Sequence, residues 1–126
     1  MKKVLVIDDD EIFSKVLMDS LPKDKYEVAH ALNGEEGLQQ LDTNKPDIII
    51  LDLMMPKMDG FQFIEELKNR SESNLIPILV SSQLSKTEDM GEIVASGLEV
   101  GVKGYFIKSS QNIEMIIKTI EDTLEN

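Results

Sequence analysis

The feature that most constrains the fold of this chain is an alternation between short apolar segments and longer segments with helical periodicity. Four segments are apolar throughout and rich in Val and Ile: Val4–Ile7, Ile48–Leu51, Ile76–Val80 and Tyr105–Ile107. A weaker segment, Tyr26–Ala29, alternates between polar and apolar residues. Continuous apolar runs of this length are typical of strands buried on both faces of a parallel sheet. We therefore predict a parallel sheet in which the weaker segment is an edge strand.

Apolar residues recur at helical spacing between and after these strands. Four such stripes are Ile12, Phe13, Val16, Leu17 and Leu21; Leu38 and Leu41; Phe61, Ile64 and Leu67; and Ile113, Ile116, Ile117, Ile120 and Leu124. A further helix is predicted from about Lys86 to Leu98, because a parallel strand follows it. Five strands that alternate with five helices predict a doubly wound α/β fold with right-handed crossovers. The 126 residues correspond to one domain.

The charge and the cysteine content exclude several classes of function. The chain has 13 basic and 24 acidic side chains, a net charge of -11, which argues against nucleic acid and anionic membrane surfaces as partners. It has no cysteine, which excludes disulfides and thiolate sites and fits a reducing compartment. The apolar residues near the N-terminus are followed at once by four acidic residues, Asp8–Glu11, so we expect a cytoplasmic protein without an export signal or a membrane span.

Polar side chains follow each of the four predicted strands that are apolar throughout. Asp8 and Asp9 follow the first strand, Asp52 follows the third, Ser81 and Ser82 follow the fourth, and Lys108 follows the fifth. Because the carboxyl ends of parallel strands meet at one edge of a sheet, we expect these side chains to converge there. The alternative is that Asp8–Glu11 only cap the first helix, while the other residues are ordinary turn residues.

Three carboxylates at this edge would repel one another unless a cation lay between them. Unit charges about 5 Å apart repel by roughly 3 kcal/mol at an effective dielectric constant near 20. Oxygen ligands of this kind suit Mg²⁺ or Mn²⁺. With a lysine and a hydroxyl nearby, one carboxylate could attack a phosphoryl group and form an acyl phosphate. The residues therefore predict Mg²⁺-assisted phosphoryl transfer to an aspartate.

Five stretches of the chain match one known family in order. They are Val4–Glu11, Asn33–Leu38, Pro46–Gly60, Ile76–Ser82 and Gly104–Lys108. On these residues the chain resembles the receiver domain of bacterial two-component response regulators, including the single-domain chemotaxis type. The resemblance implies a flavodoxin-like sheet of five parallel strands in the order 2-1-3-4-5 with five helices. It also implies that residues 1–126 are one receiver domain and that this chain carries no output domain.

The resemblance implies a role for each residue at the acidic edge. Asp52 would accept the phosphoryl group. Asp9, Asp52 and the backbone carbonyl of Met54 would bind Mg²⁺ directly, and Asp8 would act mostly through water. In this family the residues two positions beyond the acceptor and two beyond the switch hydroxyl flank the path of the water that hydrolyses the acyl phosphate. Here they are Met54 and Leu84, both apolar, so we expect the phosphorylated state to be long-lived.

The resemblance also implies a switch and two kinds of partner. Ser82 would be the switch hydroxyl, Lys108 the cation that binds the phosphoryl group, and Tyr105 an aromatic side chain that changes rotamer. The phosphoryl donor would be a sensor histidine kinase or a phosphotransfer protein. A downstream target protein would bind the face built by the predicted fourth helix, the last strand and the last helix. Such a domain catalyses its own phosphorylation and slow dephosphorylation but is not a dedicated enzyme.

Two other functions are compatible with parts of the sequence. The stretch Asp8–Ile12 also resembles the Asp-x-Asp motif of haloacid-dehalogenase-type phosphatases, in which Asp8 would be the nucleophile and Asp10 the acid and base. Those enzymes need a later acidic pair after a further strand, which this chain lacks after Lys108. The third hypothesis is a binding module with the same fold that is not phosphorylated, because a fold alone does not guarantee activity.

Overall fold

The computed structural model describes residues 1–70, 76–82, 101–108 and 112–125, with the backbone alone at Ser82. Its core is one five-stranded parallel sheet in the order β2-β1-β3-β4-β5. The strands are β1 (Lys2–Ile7), β2 (Tyr26–Ala31), β3 (Ile48–Asp52), β4 (Ile78–Ser82) and β5 (Val102–Ile107). The helices of the described residues are α1 (Glu11–Ser20), α2 (Gly34–Thr43), α3 (Gly60–Lys68) and α4 (Ile113–Glu125).

The predicted fold class, strand order and edge position of β2 are confirmed. β2 is two residues longer than the alternating segment in the sequence, because its last residues pair with the end of β1 up to Ile7 and Ala31. The described residues contain four of the five expected helices. The helix predicted from about Lys86 to Leu98 falls within residues 83–100, outside the described part of the chain.

Apolar side chains cover both faces of the sheet, as a doubly wound fold requires. Alternate residues of each central strand point to opposite faces. On one face α2 and α3 pack against a cluster that includes Leu5, Ile7, Ile49, Leu51 and Phe63. On the other face α1 and α4 pack against a cluster that includes Val4, Val6, Ile48, Ile50, Leu17, Phe106 and Ile120. The two layers hold the ends of the strands in fixed positions.

Three residues of the predicted helix stripes do not belong to the core. Ile12 and Val16 are 79% and 46% exposed, and Phe61 is 45% exposed. The buried residues of α1 are Ser14 and Leu17. Val16 precedes Leu17 by one position and lies about 100° from it around the helix, and Ile12 precedes Ser14 by two positions and lies about 200° from it. In α3 the aromatic core residue is Phe63 rather than Phe61. The predicted stripe of α4 is confirmed, with Ile116 and Ile120 buried and its other three members packed partly against the same cluster.

The loops at the carboxyl ends of the strands are short and lead directly into capped helices. Asp10 caps α1, since its Oδ1 accepts hydrogen bonds from the backbone N–H groups of Ile12 and Phe13. Asn33 caps α2, and Asp59 forms a reciprocal capping box with Gln62 at the start of α3. These caps fix the chain within a few residues of the strand ends, where the polar residues lie.

Among the helices of the described residues, none has the length and apolar character to cross a membrane.

Candidate functional site

Three carboxylates meet at the carboxyl edge of the sheet. Asp8 and Asp9 follow β1, and Asp52 is the last residue of β3, which is paired with β1. One carboxylate oxygen of each residue lies within 4.8 Å of the corresponding oxygens of the other two. Asp8 and Asp52 are buried, with 1% and 5% of their surface exposed, whereas Asp9 is exposed. The cluster therefore has two desolvated carboxylates and one that faces solvent.

The carboxylate of Asp8 is held from two sides. Its Oδ1 accepts a hydrogen bond from the backbone N–H of Asp10 at 2.8 Å. Its Oδ2 is buried and receives no well-directed hydrogen bond from the described residues; the contact there is an ion pair with Lys108 Nζ at 2.5 Å. The backbone carbonyl of Asp8 is also 2.7 Å from His30 Nε2.

Lys108 brings a positive charge to the cluster from the end of the edge strand β5. Its side chain is only 6% exposed, and Nζ is 3.7 Å from Asp52 Oδ2 as well as in contact with Asp8. Lys108 follows β5, and strands β3 and β4 lie between β5 and β1, so the side chain extends across the ends of both strands. Within the described residues, no other ion pair reaches the carboxylates of Asp8 and Asp52, which leaves excess negative charge there.

Burial and the neighbouring negative charge both change the pKa of Asp52. Burial and then the neighbouring Asp8 carboxylate raise the pKa of Asp52 to about 7, while Lys108 and the backbone N–H of Met54 act in the opposite direction. The Met54 N–H lies 3.5 Å from Asp52 Oδ1, at the limit of a hydrogen bond. A divalent cation would favour the ionised form of Asp52, because it supplies the positive charge that the protein lacks at this position.

The residues present suit a magnesium or manganese ion. The site offers three carboxylates within reach of one another, and the Oδ2 of Asp8 is a buried oxygen without a well-directed donor in the described part of the chain. Hard divalent cations prefer carboxylate and carbonyl oxygens of this kind. Asp10 does not join this set, because its carboxylate caps α1.

The predicted hydroxyl and aromatic residues lie on neighbouring strands. Ser82 is the last residue of β4, but its side chain lies outside the described part of the structure. Ser81 pairs with Asp52 in the sheet, and its buried hydroxyl donates to the carbonyl of Leu51 at 3.5 Å, so it has a structural contact. Tyr105 lies on β5 with 39% of its surface exposed.

The segment that follows β3 packs tightly against the backbone of Asp52. A Cβ atom at Gly60 would lie 2.5 Å from the carbonyl oxygen of Asp52 and 2.8 Å from Leu53 Cα, so no larger residue fits without movement of that backbone. Lys57 in the same loop has a φ of 64°, a left-handed conformation that non-glycine residues seldom adopt. The start of α3 therefore lies directly against the backbone at the end of β3, beside the acidic cluster.

Two residues near the site were not assigned to it from the sequence. Phe13, expected only in the core, lies with its ring centroid 4.7 Å from Lys108 Nζ. His30, which the sequence places far from the acidic residues, contacts the Asp8 carbonyl because β2 pairs with β1. The capping residue Asp10 can be recognised in the sequence, and it indicates that Phe13 lies in the first turn of α1. The contact between Phe13 and Lys108 depends on tertiary structure, so the sequence does not indicate it.

Comparisons with a family model and with curated proteins agree on the type of protein that this chain resembles. The family model described as "Response regulator receiver domain" matches residues 4–121. The chain is 36% identical over 121 residues to the alkaline phosphatase synthesis transcriptional regulatory protein PhoP of Bacillus subtilis, covering 94% of this chain and 48% of that protein. It is 39% identical over 119 residues to the probable transcriptional regulator ycf27 of Cyanidium caldarium, covering 93% and 45%. The chain thus spans about half the length of these curated relatives.

Solved structures resemble the chain over nearly its whole length. The chemotaxis response regulator CheY4 of Vibrio cholerae superposes with a TM-score of 0.84 at 31% identity and covers 98% of each chain. The receiver domain of the Francisella response regulator 1452 superposes with a TM-score of 0.83 at 28% identity, covering 99% of this chain and 98% of that one.

Proposed function

The chain belongs to the response regulator receiver domain family, and we propose that it is phosphorylated on Asp52. The observation that supports this acceptor most strongly is the position of its buried carboxylate, which lies within 4.8 Å of carboxylate oxygens of two further aspartates and 3.7 Å from the ammonium of Lys108. Response regulators act between histidine kinases and downstream effectors, so the domain is a phosphoacceptor module of two-component signalling. In this proposal residues 1–126 function as one receiver domain.

The proposed reaction transfers a phosphoryl group from a phosphohistidine to Asp52. A carboxylate oxygen of Asp52 forms the new bond to phosphorus as the bond between phosphorus and the histidine nitrogen breaks. The imidazole leaves with the electron pair of that bond, which then takes a proton. Lys108 compensates the negative charge of the phosphoryl oxygens. Mg²⁺ or Mn²⁺, bound by Asp8, Asp9, Asp52 and the carbonyl of Met54, would supply further positive charge to those oxygens.

The donor in this proposal is a sensor histidine kinase or a phosphotransfer protein. Exposed apolar side chains lie close after the acidic residues in the chain, namely Ile12 in the first turn of α1 at 79% and Met54 in the loop after β3 at 59% exposure. Exposed apolar residues beside a site are suited to contact with another protein. The strongly negative charge of the chain argues against nucleic acid as its own ligand, and the lack of cysteine fits the cytoplasm.

The output of the switch would be a change in a protein-binding face. In this proposal the hydroxyl of Ser82 approaches the phosphoryl oxygens and Tyr105 turns inward, which changes the surface around β5, α4 and the predicted helix of residues 86–98. Tyr105 and Met115 support such a surface, because they are 39% and 50% exposed. Phosphorylation should therefore shift the NMR signals of residues 102–108 and 112–118 more than those of α2.

Intact-mass measurement tests the acceptor. The protein is incubated with acetyl phosphate, with either Mg²⁺ or a chelator, and compared with Asp52→Asn and with Asp19→Asn. Asp19 is an exposed carboxylate of α1 that pairs with Lys15, so it controls for removal of an aspartate. We expect one added phosphoryl group in the wild type and in Asp19→Asn, and none in Asp52→Asn or without Mg²⁺. Labelling of Asp52→Asn would show that the acceptor is another residue.

The same experiment separates the alternatives. A receiver-like module that only binds partners would remain unlabelled in every sample. A phosphatase of the haloacid dehalogenase type would turn over a small phosphate ester and would lose that activity in Asp10→Asn. The capping role of Asp10 in α1 argues against this second alternative, since the carboxylate is already bonded to the backbone of the helix. We propose that self-phosphorylation and slow self-dephosphorylation are the only reactions that the domain catalyses.

A further inference from the structure

The long side chain of Lys108 requires support to reach the acidic cluster. It extends from the end of β5 across the ends of two strands to Asp8, and it remains almost completely buried. A lysine has four rotatable side-chain bonds and loses considerable conformational entropy when it is fixed. Among the described residues, its charged contacts are with Asp8 Oδ2 at 2.5 Å and Asp52 Oδ2 at 3.7 Å.

The ammonium also lies over an aromatic ring. Lys108 Nζ lies 4.7 Å from the centroid of the Phe13 ring, within the range of a cation–π interaction. The negative face of the ring attracts the ammonium, and in a buried site this attraction is stronger than at the surface. Phe13 therefore provides an attractive contact for the Lys108 ammonium in addition to the two carboxylates.

Phe13 itself is held in place by two independent contacts. Its backbone N–H donates to the capping carboxylate of Asp10 at 3.0 Å, which fixes the first turn of α1. Its ring packs against Phe106 of β5, with the centroids 6.3 Å apart and the planes inclined by 37°. Phe106 lies two residues before Lys108. The Phe13 ring therefore contacts both β5 and the Lys108 ammonium that follows this strand.

We propose that Phe13 is a positioning residue for phosphoryl transfer: its ring face holds the Lys108 ammonium at the acidic cluster. This inference rests on the proposed function. The contact between Phe13 and Lys108 becomes more important when a divalent cation binds, because the cation and Lys108 are attracted to the same carboxylates. The ring then keeps the ammonium close enough to meet a phosphoryl oxygen as the oxygen arrives.

Fluorinated phenylalanines test the proposal, because fluorine removes electron density from the ring face with little change in its shape. Phe13 is replaced by analogues with one, two and three fluorine atoms, and the rate constant for phosphorylation by acetyl phosphate is measured in Mg²⁺. We expect a stepwise fall of about 2- to 30-fold in total, the range that corresponds to loss of one cation–π contact. The same analogues at Phe61, an exposed ring on α3, should leave the rate unchanged.

A second background distinguishes the cation–π contact from packing. In Lys108→Met the cation is absent, so fluorination of Phe13 should no longer change the residual rate. Equal rates for all the Phe13 analogues, or an equal fall in the Lys108→Met background, would overturn the role of Phe13. The Lys108 side-chain protons should also show an upfield ring-current shift in the unphosphorylated protein that Phe13→Leu abolishes, and its absence would likewise overturn it. Failure of the wild type to be labelled would instead refute the proposed function.

Discussion

Replacement of Asp52 with asparagine should stabilise the metal-free protein, by an amount that grows with pH. Burial and the Asp8 carboxylate raise the pKa of Asp52 from 3.8 to about 7 in the folded protein. Between these two values the folded protein holds a proton that the unfolded chain has released, so the free energy of unfolding falls as the pH rises through this range. Above about pH 7 Asp52 is ionised in both states and the loss is complete. Asparagine has a similar shape and no charge to lose.

The size of the effect follows from the difference between the two pKa values. About three pKa units at roughly 1.4 kcal/mol each give a loss of about 4 kcal/mol above pH 7, of which about 2 kcal/mol is already present at pH 5. In a domain of 126 residues, that loss corresponds to a melting temperature about 15 °C higher for Asp52→Asn than for the wild type at pH 8. The difference should be clearly smaller at pH 5.

Urea unfolding in the presence of a chelator, measured at intervals from pH 5 to pH 8, provides the assay. Asp19→Asn is the matched control, because Asp19 is exposed and its ion pair with Lys15 contributes little. The stability of Asp19→Asn should follow that of the wild type at every pH. Parallel pH profiles for the wild type and Asp52→Asn, or a less stable Asp52→Asn at pH 8, would refute the reasoning.

Three further perturbations test other parts of the site. Mg²⁺ should raise the melting temperature of the wild type more than that of Asp52→Asn; equal shifts in differential scanning fluorimetry would contradict a shared metal site. Gly60→Ala should lower the free energy of unfolding by about 1–3 kcal/mol and weaken Mg²⁺ binding, since the new Cβ would displace the backbone of Asp52; urea unfolding and Mg²⁺ titration check this. Met54→Asn should hydrolyse its acyl phosphate faster, by about tenfold or more, because an amide can orient the attacking water; an unchanged lifetime by phosphate release would exclude this role.

The sheet could be predicted because its signal is local. Runs such as Ile48–Leu51 are buried on both faces, and burial of that kind leaves no polar position in the sequence. The carboxylate cluster was predictable for a related reason: parallel strands place all their carboxyl ends at one edge, so Asp8 and Asp52 must lie close once β1 and β3 are neighbours.

Features that depend on the exact rotation of a helix about its axis were harder to predict from the sequence. Ile12 and Phe61 have the apolar character of core residues, yet the capped starts of α1 and α3 turn them toward solvent. The contact between Phe13 and Lys108 depends on the same rotation of α1 and on the strand that carries Phe106. No spacing in the sequence indicates the contact between Phe13 and Lys108, because the two residues are nearly a hundred positions apart.

Reductive trapping of the phosphorylated residue tests the central claim most directly. Borohydride converts an aspartyl phosphate to homoserine, so peptide mapping after treatment with acetyl phosphate and Mg²⁺ identifies the acceptor. We predict homoserine at position 52 alone, and none when Mg²⁺ is replaced by a chelator. Homoserine at position 8 or 9, or an unmodified position 52 in labelled protein, would contradict the account.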